Sequence, residues 1–158
     1  MTDKPQQERA TKEVRTIARR NIRNAEGCRA QPYLDTEGHL TVGIGHLLEN
    51  GGAPLPQDAI ESIFRSDYLQ AESDAYLVLW KDCGLKVTDL SSHQMAGLVE
   101  MCFQLGLTRL RKFKRMLEAI SDRDGETAAK EALDSKWAKQ TPGRATRIAE
   151  MIRGHRDF

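Results

Sequence analysis

The stretch that decides the fold is Asn24–Leu48, with the sequence NAEGCRAQPYLDTEGHLTVGIGHLL. Apolar residues recur at helical spacing up to Glu26, and Gly27 stands where helices commonly end in a left-handed residue. Asp35 and Gly38 favour a tight turn, and β-forming residues flank them on both sides. This stretch therefore predicts a helix that ends near Glu26, followed by a β-hairpin.

The rest of the chain is helical by its hydrophobic spacing. Further helices are predicted over about 57–82, 91–105, 113–120, 129–137 and 144–153. Ser91 and Gln94 have the spacing of a capping box at the start of the second of these helices. The sequence predicts an α+β fold in which a small β-hairpin lobe packs on a mostly helical lobe. We expect one domain, 1–158, with a flexible polar tail over about 1–10. The β lobe would occupy about 28–55, and an N-terminal helix over about 9–26 would belong to the helical lobe.

Composition bounds the functions that this chain can have. Its 158 residues are 39% hydrophobic and 30% charged, with a formal net charge of +1. This near balance gives no overall field that would attract nucleic acid or an acidic membrane. The N-terminal MTDKPQQERA is polar, which predicts no signal peptide and no membrane span. Three widely spaced cysteines predict reduced thiols in or near the core rather than a disulfide framework or a zinc site.

Two carboxyl groups near the hairpin are candidates for acid–base chemistry. Glu26 would lie at the negative end of its helix, and this position, together with partial burial, favours a protonated carboxyl. A general acid needs such a carboxyl. Asp35, in a polar turn, should stay ionised, and Thr41 on the return strand could help it to hold one water molecule. Two carboxyls with different environments are typical of enzymes that cleave glycosidic bonds.

Each of these residues also has a purely structural explanation. A glutamate before a helix-ending glycine is usually a solvated residue, and an aspartate that opens a turn commonly serves the turn. From the residues alone, Glu26, Asp35 and Thr41 can therefore have either a catalytic or a purely structural role.

Three segments resemble one known family in the same order. They are EGCRAQPYLDTEGHLTVGIGH (26–46), FQLG (103–106) and SKWAKQTPGRATRI (135–148). The first closely resembles the signature of the T-even-type phage lysozymes, which are peptidoglycan muramidases, or endolysins. The resemblance extends over most of the chain.

The resemblance implies a lysozyme-like fold, a reaction and a set of roles. Glu26 would protonate the oxygen of the β-1,4 bond between N-acetylmuramic acid and N-acetylglucosamine. Asp35, with Thr41, would activate a water molecule on the opposite face of the sugar, which is an inverting route. No metal or cofactor is implied.

Other positions match the cleft of that family. Leu47, Phe103 and Gln104 match residues that contact the saccharide, although Phe103 alone would be interpreted as core. Arg144 matches an arginine that faces the catalytic glutamate. His46 matches a histidine near the cleft, where a structural hydrogen bond is the favoured role.

Glu100 departs from the family, which more often has asparagine there. A carboxylate at this position would favour the protonated form of Glu26 further, unless Arg144 neutralises it. We therefore expect a Glu26–Arg144–Glu100 cluster.

The run RLRKFKR, Arg109–Arg115, has five cations and no acid. It could be a landing surface for phosphate-bearing wall polymers or lipopolysaccharide, or simply a solvated face around Phe113. The low net charge favours the second explanation.

The resemblance favours an endolysin that cleaves glycan strands of peptidoglycan for host cell lysis. The alternatives are a lytic transglycosylase and a non-catalytic wall-binding or toxin-associated module of the same fold. We expect a monomer that binds neither nucleic acid nor, stably, a membrane. It would accumulate in the host cytoplasm and reach the periplasm through a holin-type route.

Overall fold

The structure, a computed structural model, describes residues 4–34, 39–44, 46–47 and 55–154, with the backbone alone at 30, 46 and 47. Its helices are α1 (Lys4–Glu26), α2 (Gln57–Lys81), α3 (Ser92–Leu105), α4 (Leu107–Leu110), α5 (Lys114–Ser121), α6 (Gly125–Leu133), α7 (Lys136–Gln140) and α8 (Pro142–Arg153). Its strands are β1 (Arg29–Leu34), β2 (Leu40–Gly43) and β3 (His46–Leu47), and a 3₁₀ turn spans Val87–Asp89. This mostly helical chain with one small sheet confirms the predicted α+β class.

Helix α1 begins at Lys4, so residues 4–8, which the sequence assigned to a flexible polar tail, are helical. The segment KPQQERA has no large apolar residue, but its lysine, glutamines, glutamate, arginine and alanine have high helix propensity. Pro5 lies in the first turn, where its missing N–H costs nothing. Propensity and continuity with the packed part of α1 therefore extend the helix.

The sheet has the order β1-β2-β3, with both pairs antiparallel. Tyr33 lies opposite Thr41, and Leu34 lies opposite Leu40. Gly43 has a φ of +66°, and a Cβ atom there would lie 3.1 Å from Ile60 Cγ2 on α2. The glycine therefore permits the close approach of the sheet to α2.

Helix α3 is the centre of the core, in contact with α1, α2 and α8. All residues from 95 to 102 are buried. The predicted capping box is confirmed, because Ser91 Oγ accepts from the Gln94 N–H at 3.1 Å and Gln94 Oε1 accepts from the Ser91 N–H at 3.0 Å. Gln94 Nε2 also donates to the Ile152 carbonyl, which links the start of α3 to the end of α8.

An ion pair between a half-exposed arginine and a buried glutamate joins α1 to α2. Glu72 is only 4% exposed, and Arg15 Nη2 lies 2.8 Å from its carboxylate. The Tyr68 hydroxyl donates to the same carboxylate at 3.1 Å. Burial, with a smaller contribution from Glu72, raises the pKa of Tyr68. These contacts satisfy a carboxylate that would be costly to bury alone.

The three cysteines are free thiols, but only Cys83 and Cys102 are in the core, and Cys28 is exposed. Burial raises the pKa of Cys83 to about 11 and that of Cys102 to about 12. Because the thiolate is the reactive form, we expect a thiol reagent to modify Cys28 alone in the native protein and all three after unfolding. Cys28→Ser should abolish the native reaction, and rapid native modification in that variant would contradict the described burial.

Candidate active site

A cleft of about 660 Å³ lies between β1, the ends of α1 and α3, and the α7–α8 segment. Its charged and polar lining residues include Glu26, Arg29, Tyr33, Gln104, Arg144 and Arg147. Phe103, Leu105 and Trp137 contribute apolar surface. A cleft of this composition suits a ligand with both polar groups and apolar faces.

Glu26 is the last residue of α1 and points into this cleft. Gly27 follows with a φ of +69°, and its N–H donates to the Arg23 carbonyl at 2.9 Å. The left-handed residue that the sequence predicts therefore ends the helix at the cleft. The helix end fixes the position of the Glu26 carboxyl.

Arg144, in the first turns of α8, pairs with Glu26. Arg144 Nη2 donates to Glu26 Oε1 at 2.7 Å, with 13% of the arginine side chain and 22% of the glutamate side chain exposed. Arg144 Nε is buried and has no hydrogen-bond partner among the described residues. A guanidinium stabilises the charge of a neighbouring carboxylate, whereas a general acid must carry a proton. The two requirements oppose each other at this contact.

Thr41 is buried on β2, and its hydroxyl donates to the His39 carbonyl at 3.3 Å. It pairs with Tyr33, one position from the end of β1. Asp35 lies outside the described residues, so its predicted water-holding partnership with Thr41 stays a prediction. The side-chain roles proposed for His46 and Leu47 also lie outside the described part of the molecule.

Phe103 and Gln104 both line the cleft at the end of α3. Phe103 packs edge-on against Phe64, with ring centroids 6.0 Å apart, so it contributes to the core as well. Gln104 Oε1 accepts from Trp137 Nε1 at 2.8 Å. This bond occupies the amide oxygen, which leaves the amide nitrogen to donate to a ligand.

Glu100 is fully buried, but it does not join Glu26 and Arg144 as the cluster hypothesis required. Its Oε2 atom lies 2.5 Å from Arg147 Nη2, and its Oε1 atom accepts from Arg147 Nη1 and from Asn21 Nδ2 at 3.1 and 2.9 Å. The expected Glu100–Arg144 pairing was therefore wrong. The reason is that Arg147, one helical turn further along α8, reaches the Glu100 carboxylate on α3, while Arg144 reaches Glu26.

Several cleft residues were not singled out from the sequence. The Arg29 guanidinium lies over the Tyr33 ring, 4.4 Å from its centroid, and both side chains line the cleft. Trp137 and Arg147 also line it. Arg29 and Tyr33 are four residues apart on β1. Residues at even spacing on a strand share a face of the sheet, so the strand pattern could have indicated this pair. For Trp137 and Arg147, helical spacing alone gave no comparable signal.

The described residues contain no group of three or more His, Cys, Asp or Glu side chains that could hold a metal ion. In the same part of the chain, no helix is both long enough and apolar enough to cross a membrane.

Comparison with known proteins connects this site to one family. The phage lysozyme profile matches residues 23–153. The pre-baseplate central spike protein Gp5 of Enterobacteria phage T4 is 32% identical over 154 residues, which cover 83% of this chain and 26% of that protein. Probable T4-type lysozyme 1 of Dictyostelium discoideum is 27% identical, with 80% of this chain and 88% of that protein covered. Peptidoglycan hydrolase gp36 of Pseudomonas phage phiKMV is 30% identical, with 88% of this chain and 15% of that protein covered. The chain thus spans about a quarter or less of the two phage relatives and most of the Dictyostelium one. With a profile match over most of its length, this chain belongs to the phage lysozyme family.

Proposed function

We propose that this chain is a muramidase that hydrolyses the β-1,4 bond between N-acetylmuramic acid and N-acetylglucosamine in peptidoglycan. The observation that carries the proposal is the Glu26 carboxyl, held at the end of α1 inside the cleft beside Arg144. Family membership supports it, as do relatives whose names are lysozyme and peptidoglycan hydrolase.

The proposed reaction is a single displacement. Glu26 gives its proton to the glycosidic oxygen as the bond from that oxygen to the anomeric carbon breaks. A water oxygen bonds to the anomeric carbon from the opposite face, and Asp35 takes the proton of that water, with Thr41 as its partner. The product would have inverted configuration, which requires space for water between the two carboxyls.

The contact between Arg144 and Glu26 gives the arginine a part in this reaction. The proton that Glu26 gives must lie on one of its carboxyl oxygens, and Arg144 Nη2 donates to one of them, Oε1. We propose that a sugar bound in the cleft either breaks the hydrogen bond from Arg144 Nη2 to Glu26 or accepts a hydrogen bond from the same nitrogen. After proton transfer, the guanidinium again stabilises the carboxylate that remains.

The setting of this activity is a proposal as well. Accumulation in a host cytoplasm and access to the wall through a holin-type route would make the chain an endolysin for host lysis. Two phage relatives that match it are much longer proteins, which also fits a lysozyme domain carried by a larger particle protein. The chemistry of the cleft would be the same in both settings.

Release of reducing sugar ends from purified peptidoglycan sacculi tests the activity. The proposal expects each cleavage to yield one reducing muramic acid end. Anhydro ends would indicate the transglycosylase alternative. No cleavage by a correctly folded protein would favour the non-catalytic wall-binding module.

A further inference from the structure

A second and larger groove, of about 1100 Å³, adjoins the cleft. Leu105, Arg109, Trp137 and Gln140 line both spaces, so the two are continuous. The rings of Phe113 and Trp137 meet edge to face in its apolar part, with centroids 6.0 Å apart. A polymer that occupies the cleft could therefore extend into this groove, or stand beside a second polymer bound there.

Five exposed cations line what we call the basic groove: Arg109, Lys112, Lys114, Arg115 and Lys136. They come from α4, α5, α7 and the connection between α4 and α5. Two carboxylates, Glu131 and Asp134, also line the groove. The cations exceed the acids there although the whole chain has a net charge of only +1.

These five cations are not engaged within the described part of the chain, where no hydrogen bond or ion pair joins them to another side chain. Arg111, from the same sequence run, behaves differently, because its Nε atom lies 2.7 Å from Asp82. In the fold, Arg111 therefore lies outside the basic groove, and Lys136 lines it. Cations from separate elements therefore converge on one groove, whereas the low net charge had favoured a simple solvated face around Phe113.

The arrangement suits an anionic polymer with repeated charges. A single exposed ion pair contributes little in water, but a chain that meets several cations at once gains from their sum and from its own connectivity. Lysine and arginine both bind phosphate well, arginine through its two-pronged donors. The groove is concave, which does not fit the flat surface of a membrane.

Nucleic acid, another phosphate polymer, is disfavoured by the aromatic residues. Trp137 is 5% exposed, and its indole N–H is bound to Gln104. Phe113 is half-buried against it, with its ring plane turned by 83°. With Trp137 buried, the rings that line the groove do not form the row of exposed aromatic faces on which successive bases of single-stranded nucleic acid stack.

We propose that the basic groove is an exosite for a phosphate-bearing polymer of the cell envelope. It holds the protein on the wall while the adjoining cleft takes the glycan strand. This inference rests on the proposed muramidase function for its biological meaning, but the binding itself does not require turnover.

Direct binding to inorganic polyphosphate, measured by calorimetry, tests the exosite. The triple variant Lys112→Gln, Lys114→Gln, Arg115→Gln should bind about tenfold more weakly, or worse, because three ion pairs are lost. The control triple Lys12→Gln, Arg65→Gln, Lys130→Gln removes the same charges from exposed positions outside the groove. It should bind within about twofold of the native protein, and the native affinity should fall steeply with added salt. Circular dichroism of all variants establishes that they are folded.

Some results would overturn the exosite. These are equal losses in the two triples, no binding of polyphosphate, or tighter binding of a single-stranded oligonucleotide or of phosphatidylglycerol vesicles than of polyphosphate. A poly-glutamate probe that binds as tightly as polyphosphate would overturn the choice of phosphate.

A second measurement separates this proposal from the muramidase proposal. The groove triple should cleave sacculi stripped of phosphate polymers with unchanged kcat and KM, and should show a raised KM only on walls that retain these polymers. An unchanged KM on both walls would contradict the exosite. If the Glu26→Gln variant still cleaved sacculi, the proposed acid would fail while the polyphosphate result stood.

Discussion

Glu26→Gln is expected to reduce the release of reducing ends from peptidoglycan by about a thousandfold, because general acid catalysis contributes on this scale. Glutamine keeps the shape of the side chain and can still accept from Arg144, so the protein should remain folded. It has no proton to give to the leaving oxygen. Measurement of initial rates on purified sacculi, with circular dichroism on the same samples, checks the prediction.

Glu8→Gln is the matched control for this change. Glu8 is an exposed residue of the same helix and lies outside the cleft. We expect its activity to match that of the native protein. A Glu26→Gln variant that retained a tenth or more of the native rate would contradict a role for Glu26 as the proton donor.

Glu100→Gln is expected to lower the free energy of unfolding by about 3 kcal/mol, the lower part of the range for a broken buried ion pair. Glu100 is fully buried, and the change leaves the Arg147 guanidinium without a charged partner, although 29% of that side chain is exposed. It also weakens the bond from Asn21. Urea unfolding of the variant gives the measurement, and Glu118→Gln, an exposed site on α5, should be neutral.

A double-mutant cycle identifies the partner of Glu100. Coupling between Glu100→Gln and Arg147→Gln should exceed about 1 kcal/mol, since the two residues are in direct contact. Coupling between Glu100→Gln and Arg144→Gln should be clearly smaller. Equal couplings, or a larger one with Arg144, would restore the three-residue cluster that the structure contradicts.

Short-range spacing predicted the parts of the fold that short-range contacts determine. Gly27 ends α1 because one left-handed residue suffices, and Ser91 and Gln94 cap α3 because both partners lie within one turn. The helical periodicity likewise predicted a helix over about 91–105, where α3 lies. These features need no knowledge of how distant segments meet.

The candidate site depends on contacts that spacing could not supply. Glu26 and Arg144 are 118 positions apart, and this pairing was expected from the family resemblance rather than from periodicity. Arg144 and Arg147 are three residues apart, so they lie on neighbouring parts of one helix surface. Only the rotation of α8 against α3 decides which of them reaches Glu100. Residue spacing could not predict the basic groove either, because Lys136 belongs to α7 and not to the run Arg109–Arg115.

The most direct measurement of the central claim is the product formed from peptidoglycan in heavy-oxygen water. Under the proposed mechanism, the label should appear on the anomeric carbon of the new muramic acid end, and the first product seen by proton NMR should be the α anomer. An unlabelled anhydro end would mean that no water attacks. An initial β anomer would mean two displacements, and either result would contradict a single displacement with Glu26 as proton donor.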